Sequence, residues 1–183
     1  MKQNLGIFGP AGGGKGIAAK YIAKKAHYKI INMGNIVRAL ARKEHLKPTR
    51  DNLEKLQAKY SKIYHQDFVI EHALKKALKS RKPVILDGIR KPIQARLAKE
   101  KLKAKLILVT ANPELRFERM RKRRRTGFAK TLQEFKRSEA KEGKVFNLKK
   151  TFSMADYKID NSNGMTLFMR DIDKLIKRIN KGK

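Results

Sequence analysis

The 183-residue chain carries 47 Lys plus Arg against 16 Asp plus Glu, a formal net charge of +31. At 40% apolar and 34% charged residues it has a folded composition rather than a disordered or collagen-like one, and its length fits one domain. The absence of cysteine excludes disulfides, thiolate catalysis and cysteine-ligated zinc, and is easiest to reconcile with a reducing, cytoplasmic setting.

No leader follows Met1, and no apolar run reaches the roughly 20 residues a membrane span needs, so no membrane partner is expected. So large a positive excess should attract polyanions: nucleic acid, anionic lipid or phosphorylated small molecules. Charge alone does not choose among them, and non-specific nucleic-acid binding is expected of almost any protein this basic.

Short runs rich in Ile, Val or Leu at Leu5–Phe8, Tyr28–Ile31, Pro83–Leu86, Leu106–Thr110 and Tyr157–Ile159 read as strands alternating with helical segments. That pattern predicts an α/β fold with a five-stranded parallel sheet between two helical layers. Asn112-Pro113 reads as a cap followed by Pro at the first helical position, and Thr131-Leu-Gln-Glu134 as a capping box. A last helix, about Met165 to Asn180, places Leu167, Ile172, Leu175, Ile176 and Ile179 at helical spacing, which predicts packing back on the sheet.

Two stretches exceed the minimal alternation. From Gly34 to Arg81 no strand signal occurs, and Lys47-Pro48-Thr49 and then Asp51 divide the stretch into one helix, a turn and two further helices. The basic stretch from Arg119 to about Ala140 is broken by Thr126-Gly127. Both are expected over the strand ends, where an open sheet binds its ligand.

Gly9-Pro10-Ala11-Gly12-Gly13-Gly14-Lys15-Gly16 follows the first strand and opens a helix through Ile17, matching G-x-x-x-x-G-K. Its glycines let successive backbone N–H groups face one phosphate, the helix N-terminus adds its positive end, and Lys15 supplies a cation to the β and γ phosphates. Gly16 stands where such loops usually place a Ser or Thr hydroxyl on Mg²⁺, so metal placement must rest on water and a carboxylate elsewhere. Val84-Ile85-Leu86-Asp87-Gly88-Ile89-Arg90 offers that carboxylate at a strand end. There Asp87 would hold Mg²⁺ through its waters, Gly88 would allow close approach, and Arg90 would clamp a phosphate.

Asn32-Met33-Gly34-Asn35-Ile36-Val37-Arg38 ends the second strand and starts the first inserted helix, with Arg38 one turn in. Arg116, Arg119 and Arg123 share a helical face with only Glu118 as an acid among them, a cluster expected to repel itself unless an anion sits within it. A triphosphate in transfer is such an anion, and an RNA-contacting basic helix is the rival reading. His27, His45, His65 and His72 have no metal-ligand spacing, and Tyr60 and Tyr64 are expected to pack within the inserted helices.

Taken in order, these motifs resemble adenylate kinase and its nucleoside monophosphate kinase relatives over nearly the whole chain. Met-Gly-x-x-Val-Arg, Asp-Gly-Ile-Arg, Arg-Phe-Glu-Arg and Ala155-Asp156-Tyr157-x-Ile159-x-Asn161 look closer still to archaeal adenylate-kinase-related and dephospho-coenzyme-A-kinase-like proteins. The resemblance implies a single P-loop kinase domain over 1–183, with an acceptor-nucleotide insertion at 34–82 and a short basic lid at 120–138. It implies ATP and Mg²⁺ as cofactors and nucleotides as partners.

Gly9, Ala11, Gly12, Gly13, Gly14, Lys15, Gly16 and Ile17 would hold the donor phosphates, with Arg119 by the donor adenine and Arg123 on the donor phosphates. Met33, Gly34, Arg38, Gly88, Arg90 and Gln94 would hold the acceptor, with Gln94 on its base and Arg137 as a closing arginine. The sequence departs from the family: D-G-F-P-R is shortened to Asp87-Gly88-Ile89-Arg90, and Asn32-Met33-Gly34-Asn35 replaces S-T-G-D. Dephospho-coenzyme A kinase and a ribosome-associated P-loop ATPase therefore stand beside AMP phosphorylation as readings of the same motifs.

Overall fold

The structure, a computed structural model, describes residues 2–63, 67–123 and 129–181, and the side chains of all of these except Arg50, Asp51 and Lys181. β1 (Leu5–Phe8) leads into α1 (Lys15–Ala26), β2 (Lys29–Asn32), and then α2 (Met33–Lys43), α3 (Arg50–Ile63) and α4 (Phe68–Leu78). β3 (Val84–Ile89), α5 (Pro92–Leu102), β4 (Lys105–Thr110), α6 (Pro113–Lys122), α7 (Leu132–Phe146), α8 (Leu148–Ser153), β5 (Tyr157–Asp160) and α9 (Met165–Lys181) follow.

All pairings in the five-stranded sheet are parallel and its order is β2-β3-β1-β4-β5, so β1 sits at the centre with crossovers to both sides. Parallel strands need long crossovers and both faces covered, which explains why the strands are nearly continuous apolar runs. Within them the period of two still decides which layer each side chain joins. Leu106 and Leu108 face the cluster under α2, α4 and α5, while Ile107 and Val109 face α1 and α9.

Phe168, Ile172, Leu175 and Ile179 make the buried stripe of α9. Leu167, expected in that stripe, is exposed instead, because Phe168 holds the inward position one residue later. A smaller cluster of Phe117, Met120 and Phe135 joins α6 to α7 beside Ala11.

The expected bounds of β3 move most. β3 runs on through Asp87 and Gly88 to Ile89, so the carboxylate lies inside the strand rather than at its end, with its Cα opposite Ile7 and Asn32. The register slips between Ile7 and Phe8, and Gly88, at φ 98°, supplies the backbone turn beside that slip. Asn112 occupies the cap position of α6, but its side chain makes no capping bond. The Thr131–Glu134 capping box forms as read, with Glu134 N–H donating to Thr131 Oγ1 at 3.1 Å. Tyr60 packs on Phe68 at 5.4 Å between ring centres and donates its hydroxyl to Glu44, whereas Tyr64, His65 and the Thr126-Gly127 turn lie outside the described residues.

Candidate functional site

The Gly-rich loop bridges the central strand and α1 at the carboxyl edge of the sheet. Its shape depends on glycine at particular points. Gly14, the residue before α1, has φ 105°, and a Cβ there would lie 2.3 Å from Asn161 Nδ2. At Gly9, φ 141°, a Cβ would fall 2.0 Å from the Val109 carbonyl oxygen. Side chains are thus excluded where the loop lies against β4 and the residue after β5, so its outer side is lined by backbone. Gly16, by contrast, has no neighbour within 4 Å of a Cβ position, so the missing hydroxyl is a chemical choice and not a steric necessity.

Lys15 folds back over the loop, its Nζ donating to the carbonyls of Gly9 and Pro10, both at 2.7 Å. Burial pushes its pKa from 10.5 down to about 8, with Arg90 and Arg116 acting in the same direction and Asp87 and Glu142 opposing them. Asp87 on β3, Arg90 just beyond it, Arg116 on α6 and Glu142 on α7 thus all act on one ammonium. Asp87 is buried, and its Oδ2 accepts from Asn32 Nδ2 at 2.7 Å. Asn32 also caps α2, its Oδ1 accepting from Asn35 N–H at 3.0 Å and from Arg38 Nη2 at 3.2 Å.

One residue therefore links the β3 carboxylate, the start of the inserted helices and Arg38. Met33 is buried at the start of α2, and Gly34 lies against the Arg38 guanidinium.

Arg90 sits just beyond β3, paired to Glu142 Oε1 at 3.1 Å and lying over the Phe146 ring at 5.3 Å. Glu142, set on α7, was not singled out by motif reading; its signal is only that it is one of few acids in a basic segment. Gln94 is buried at 2% exposure and both ends of its amide are engaged. Its Oε1 accepts from Arg90 N–H at 2.8 Å and Lys91 N–H at 3.2 Å, while its Nε2 donates to Asp67 Oδ1 at 3.0 Å. These bonds shape the turn that carries Arg90.

The arginine cluster of α6 also resolves differently from its expected self-repulsion. Arg116 is buried and ion-paired to Glu139 on α7, with its Nε donating to Ala111 O at 2.8 Å and its Nη1 to Ala11 O at 3.2 Å. A carboxylate 23 residues downstream neutralises it, which a scan confined to one helix could not find. Arg119 donates to Asn161 O at 2.9 Å and more weakly to Gly12 O at 3.4 Å, so it braces the loop from the β5 side.

Arg123 follows α6, exposed, with the Met120 sulfur at 3.9 Å from its Nη1, and Arg137 is exposed on α7. Asn161 was quoted only within a motif, yet it is 1% exposed and donates from Nδ2 to Gly13 O at 3.1 Å.

The loop fits a polyphosphate: its curvature requires glycine where β4 and β5 press on it, and its lysine is satisfied by carbonyls that an anion can replace. For Mg²⁺ the described residues offer Asp87 and no cluster of three His, Asp or Glu side chains. That donor set suits a cation held mainly by phosphate and water.

A family model described as an AAA domain matches residues 8–136. A UPF0200 protein of Pyrococcus abyssi is 32% identical over 179 residues, covering 94% of this chain and 95% of that one. The chain belongs to the AAA-domain family and to the UPF0200 proteins. A second UPF0200 relative, from Methanococcus vannielii, is 28% identical over 178 residues, with 96% and 95% covered.

In fold, this UPF0200 protein superposes on a shikimate kinase from Acinetobacter baumannii in complex with shikimate at a TM-score of 0.65, with 16% identity and 100% and 97% of the two chains covered. A gluconokinase from Sinorhizobium meliloti gives 0.55 at 16% identity, with 97% and 93% covered. At such identities the likeness is one of architecture: the UPF0200 chain has a P-loop kinase-like nucleotide-binding fold.

Proposed function

We propose that this UPF0200 protein is an ATP-dependent phosphotransferase of the nucleoside monophosphate kinase kind, moving the γ-phosphoryl group of ATP to AMP or a related nucleotide. The observation that carries the reading is the Gly-rich loop between the central strand and α1, with the Lys15 ammonium folded back onto its Gly9 and Pro10 carbonyls and with Arg90 and Asp87 near enough to act on its charge. Bound ATP supplies the phosphoryl group and Mg²⁺ offsets its charge.

In this reading Lys15 exchanges its two carbonyl partners for phosphate oxygens, which restores full charge to a group that burial has weakened. Gly9 to Ile17 present backbone N–H groups to the donor, Arg119 and Arg123 flank it, and Asp87 would hold Mg²⁺ through its waters. Arg38, on α2 after β2, and Arg90, just after β3, face the acceptor anion. Residues 34–82 form the acceptor-binding insertion and residues 120–138 the lid, which would exclude water as charge moves between phosphates. No side-chain base is required, because alignment and charge neutralisation carry phosphoryl transfer.

A second reading is favoured by Gln94, whose amide is committed to Asp67 and to the Arg90 turn. An acceptor read by its phosphate and a hydroxyl, such as dephospho-coenzyme A, makes no demand on that amide, and Asp87 would then take the hydroxyl proton. Purified protein with ATP, Mg²⁺ and a panel of AMP, CMP, UMP, GMP, deoxynucleotides and dephospho-coenzyme A separates the two. Transfer to a monophosphate, reduced roughly a thousandfold by Lys15→Ala, is the expected result. Transfer to none of the panel, or activity unchanged in Lys15→Ala, overturns the proposal.

A further inference from the structure

Opposite the loop, the amino edge of the sheet gathers a second set of cations that no phosphoryl-transfer chemistry uses. Lys29 and Lys105 are the first residues of β2 and β4, while Lys2 precedes β1, Arg81 and Lys82 precede β3, and Lys103 precedes β4. All six are exposed. Register brings them together: Lys29 lies opposite Val84, and Lys105 opposite Leu5. With neighbouring strands about 4.8 Å apart, the β2-β3-β1-β4 edge spans about 14 Å.

Short, hydrogen-bonded connections hold this edge in place. Asn4 ties three of its segments, with Oδ1 accepting from Val84 N–H at 2.9 Å, Nδ2 donating to Leu102 O at 2.9 Å and its carbonyl accepting from Lys105 N–H at 2.9 Å. Lys29 N–H donates to Pro83 O at 2.9 Å, and the Ser80 hydroxyl donates to Lys82 O at 2.8 Å.

Two ordinary explanations fall short. Basic residues at helix C-termini are favoured by the helix dipole, and helices of this fold end at this edge. That accounts for Lys24 or Lys101 but not for Lys2, Lys29, Lys82 and Lys105, which open or precede strands. Local ion pairing also fails. Glu100, three residues before Lys103, and Asp156, which accepts from the Leu106 N–H next to Lys105, are already paired to Arg96 and Lys99, and none of the six cations pairs with a carboxylate among the described residues.

Like charges on adjacent strands repel, so the arrangement is unfavourable for the isolated chain and favourable beside an anion. A membrane fits poorly as that anion. Among the described residues, only Leu78 of the exposed large apolar side chains lies by this edge, and a polybasic patch with so little to insert binds lipid weakly.

We infer that the amino edge of the sheet, presenting Lys2, Lys29, Arg81, Lys82, Lys103 and Lys105, is a docking surface for the phosphate backbone of a nucleic-acid strand. The surface is separate from the nucleotide site and does not rest on the proposed reaction. Contacts of this kind fix position along a backbone without reading bases, so the expected binding is tolerant of sequence.

The test compares two variants of the full chain, each lacking four charges. In one, Lys2, Lys29, Lys103 and Lys105 become Gln; in the other, Lys20, Lys43, Lys62 and Lys141, exposed on helices elsewhere, become Gln. Fluorescence anisotropy with a mixed-sequence single-stranded RNA 20-mer is recorded between 50 and 300 mM salt, beside vesicles rich in phosphatidylserine and beside ATP as a readout of the other site. Six phosphate contacts predict a log-log salt slope of about −4, and removing four of them flattens it by about 3.

The edge variant should lose about tenfold or more in RNA affinity at 100 mM salt while keeping its ATP affinity, and the control variant should lose less than twofold. Equal losses in both variants would mean that binding follows net charge alone and would overturn the inference. So would vesicle binding that exceeds RNA binding and is abolished by the edge substitutions.

Discussion

The two edges of one sheet handle positive charge in opposite ways. At the carboxyl edge nearly every cation is assigned: Lys15 to the Gly9 and Pro10 carbonyls, Arg116 to Glu139, Arg90 to Glu142, Arg38 to Asn32 and Asn35. At the amino edge, Lys29, Lys82 and Lys105 point to water with no carboxylate beside them among the described residues. Assigned charges are costly to disturb and tuned by burial, whereas unassigned ones matter little to folding and respond to salt. The net charge of +31 is therefore not one property but two.

The sharpest way to break that contrast is Arg116. Its guanidinium is 6% exposed, joins α6 to the loop through Ala11 and Ala111, and pairs with Glu139. Replacing it by Met keeps the volume but leaves Glu139 without its cation and two carbonyls without a donor. Removing one partner of a buried pair destabilises strongly, here by about 3 kcal/mol because Glu139 retains some solvent. Urea denaturation should show the midpoint falling with an unchanged slope. A loss under 1 kcal/mol would mean that the carboxyl-edge pairs are as dispensable as surface ones.

Protonation of Lys15 tests the same edge through pH. Its pKa is lowered from 10.5 to about 8, so between those values the unfolded chain binds more protons than the folded one. Stability from this group then rises as pH climbs through that window, by about 2 kcal/mol once partial exposure is allowed for. The difference between wild type and Lys15→Met, followed by denaturation from pH 7.5 to 10, isolates it from other lysines. An anion in the loop reverses the effect: ATP binding at pH 8 should take up about half a proton, seen by calorimetry in buffers of different ionisation enthalpy. No uptake would place Lys15 away from the phosphates.

These two residues also mark how far the sequence was legible. The strand–loop–helix unit was readable because backbone geometry there demands glycine at fixed spacing, and the sheet because its buried strands are short apolar runs between helices. Asp87 and Arg90 were found for the same local reason, although the strand continues past Asp87 where a turn was expected after the Asp-Gly pair. What escaped is what depends on distant partners. Glu139 and Glu142 lie a full helix away from the arginines they hold, and the bond from the Gln94 amide to Asp67 spans 27 residues of chain. Periodicity identifies a face, and it says nothing about which remote side chain meets it.

Glu142 gives a smaller effect of a more specific kind. If it sets the direction of Arg90, Glu142→Gln should raise the acceptor KM by roughly tenfold and leave kcat within about twofold, the pattern of lost ground-state binding. In a double-mutant cycle with Arg90→Ala the two losses should fall well short of their sum, because both substitutions break one contact. Additive losses, or a fall in kcat with KM unchanged, would assign Glu142 a part in the chemical step instead.

The smallest effect belongs to the amino edge, and its sign is the informative part. Neutralising Lys29 and Lys105 to Gln removes no hydrogen bond and no ion pair among the described residues, so only repulsion changes. Stability should rise, by no more than about 0.5 kcal/mol at low salt, since exposed charges interact weakly in water. Added salt screens that repulsion within a Debye length of about 10 Å at 0.1 M. Raising salt from 20 to 500 mM should therefore increase the Tm of the wild type more than that of the variant, until the two converge. A variant less stable than wild type at 20 mM salt would show these lysines to have partners within the fold. The contrast between a charge-assigned edge and a charge-presenting one would then fail at its weaker side.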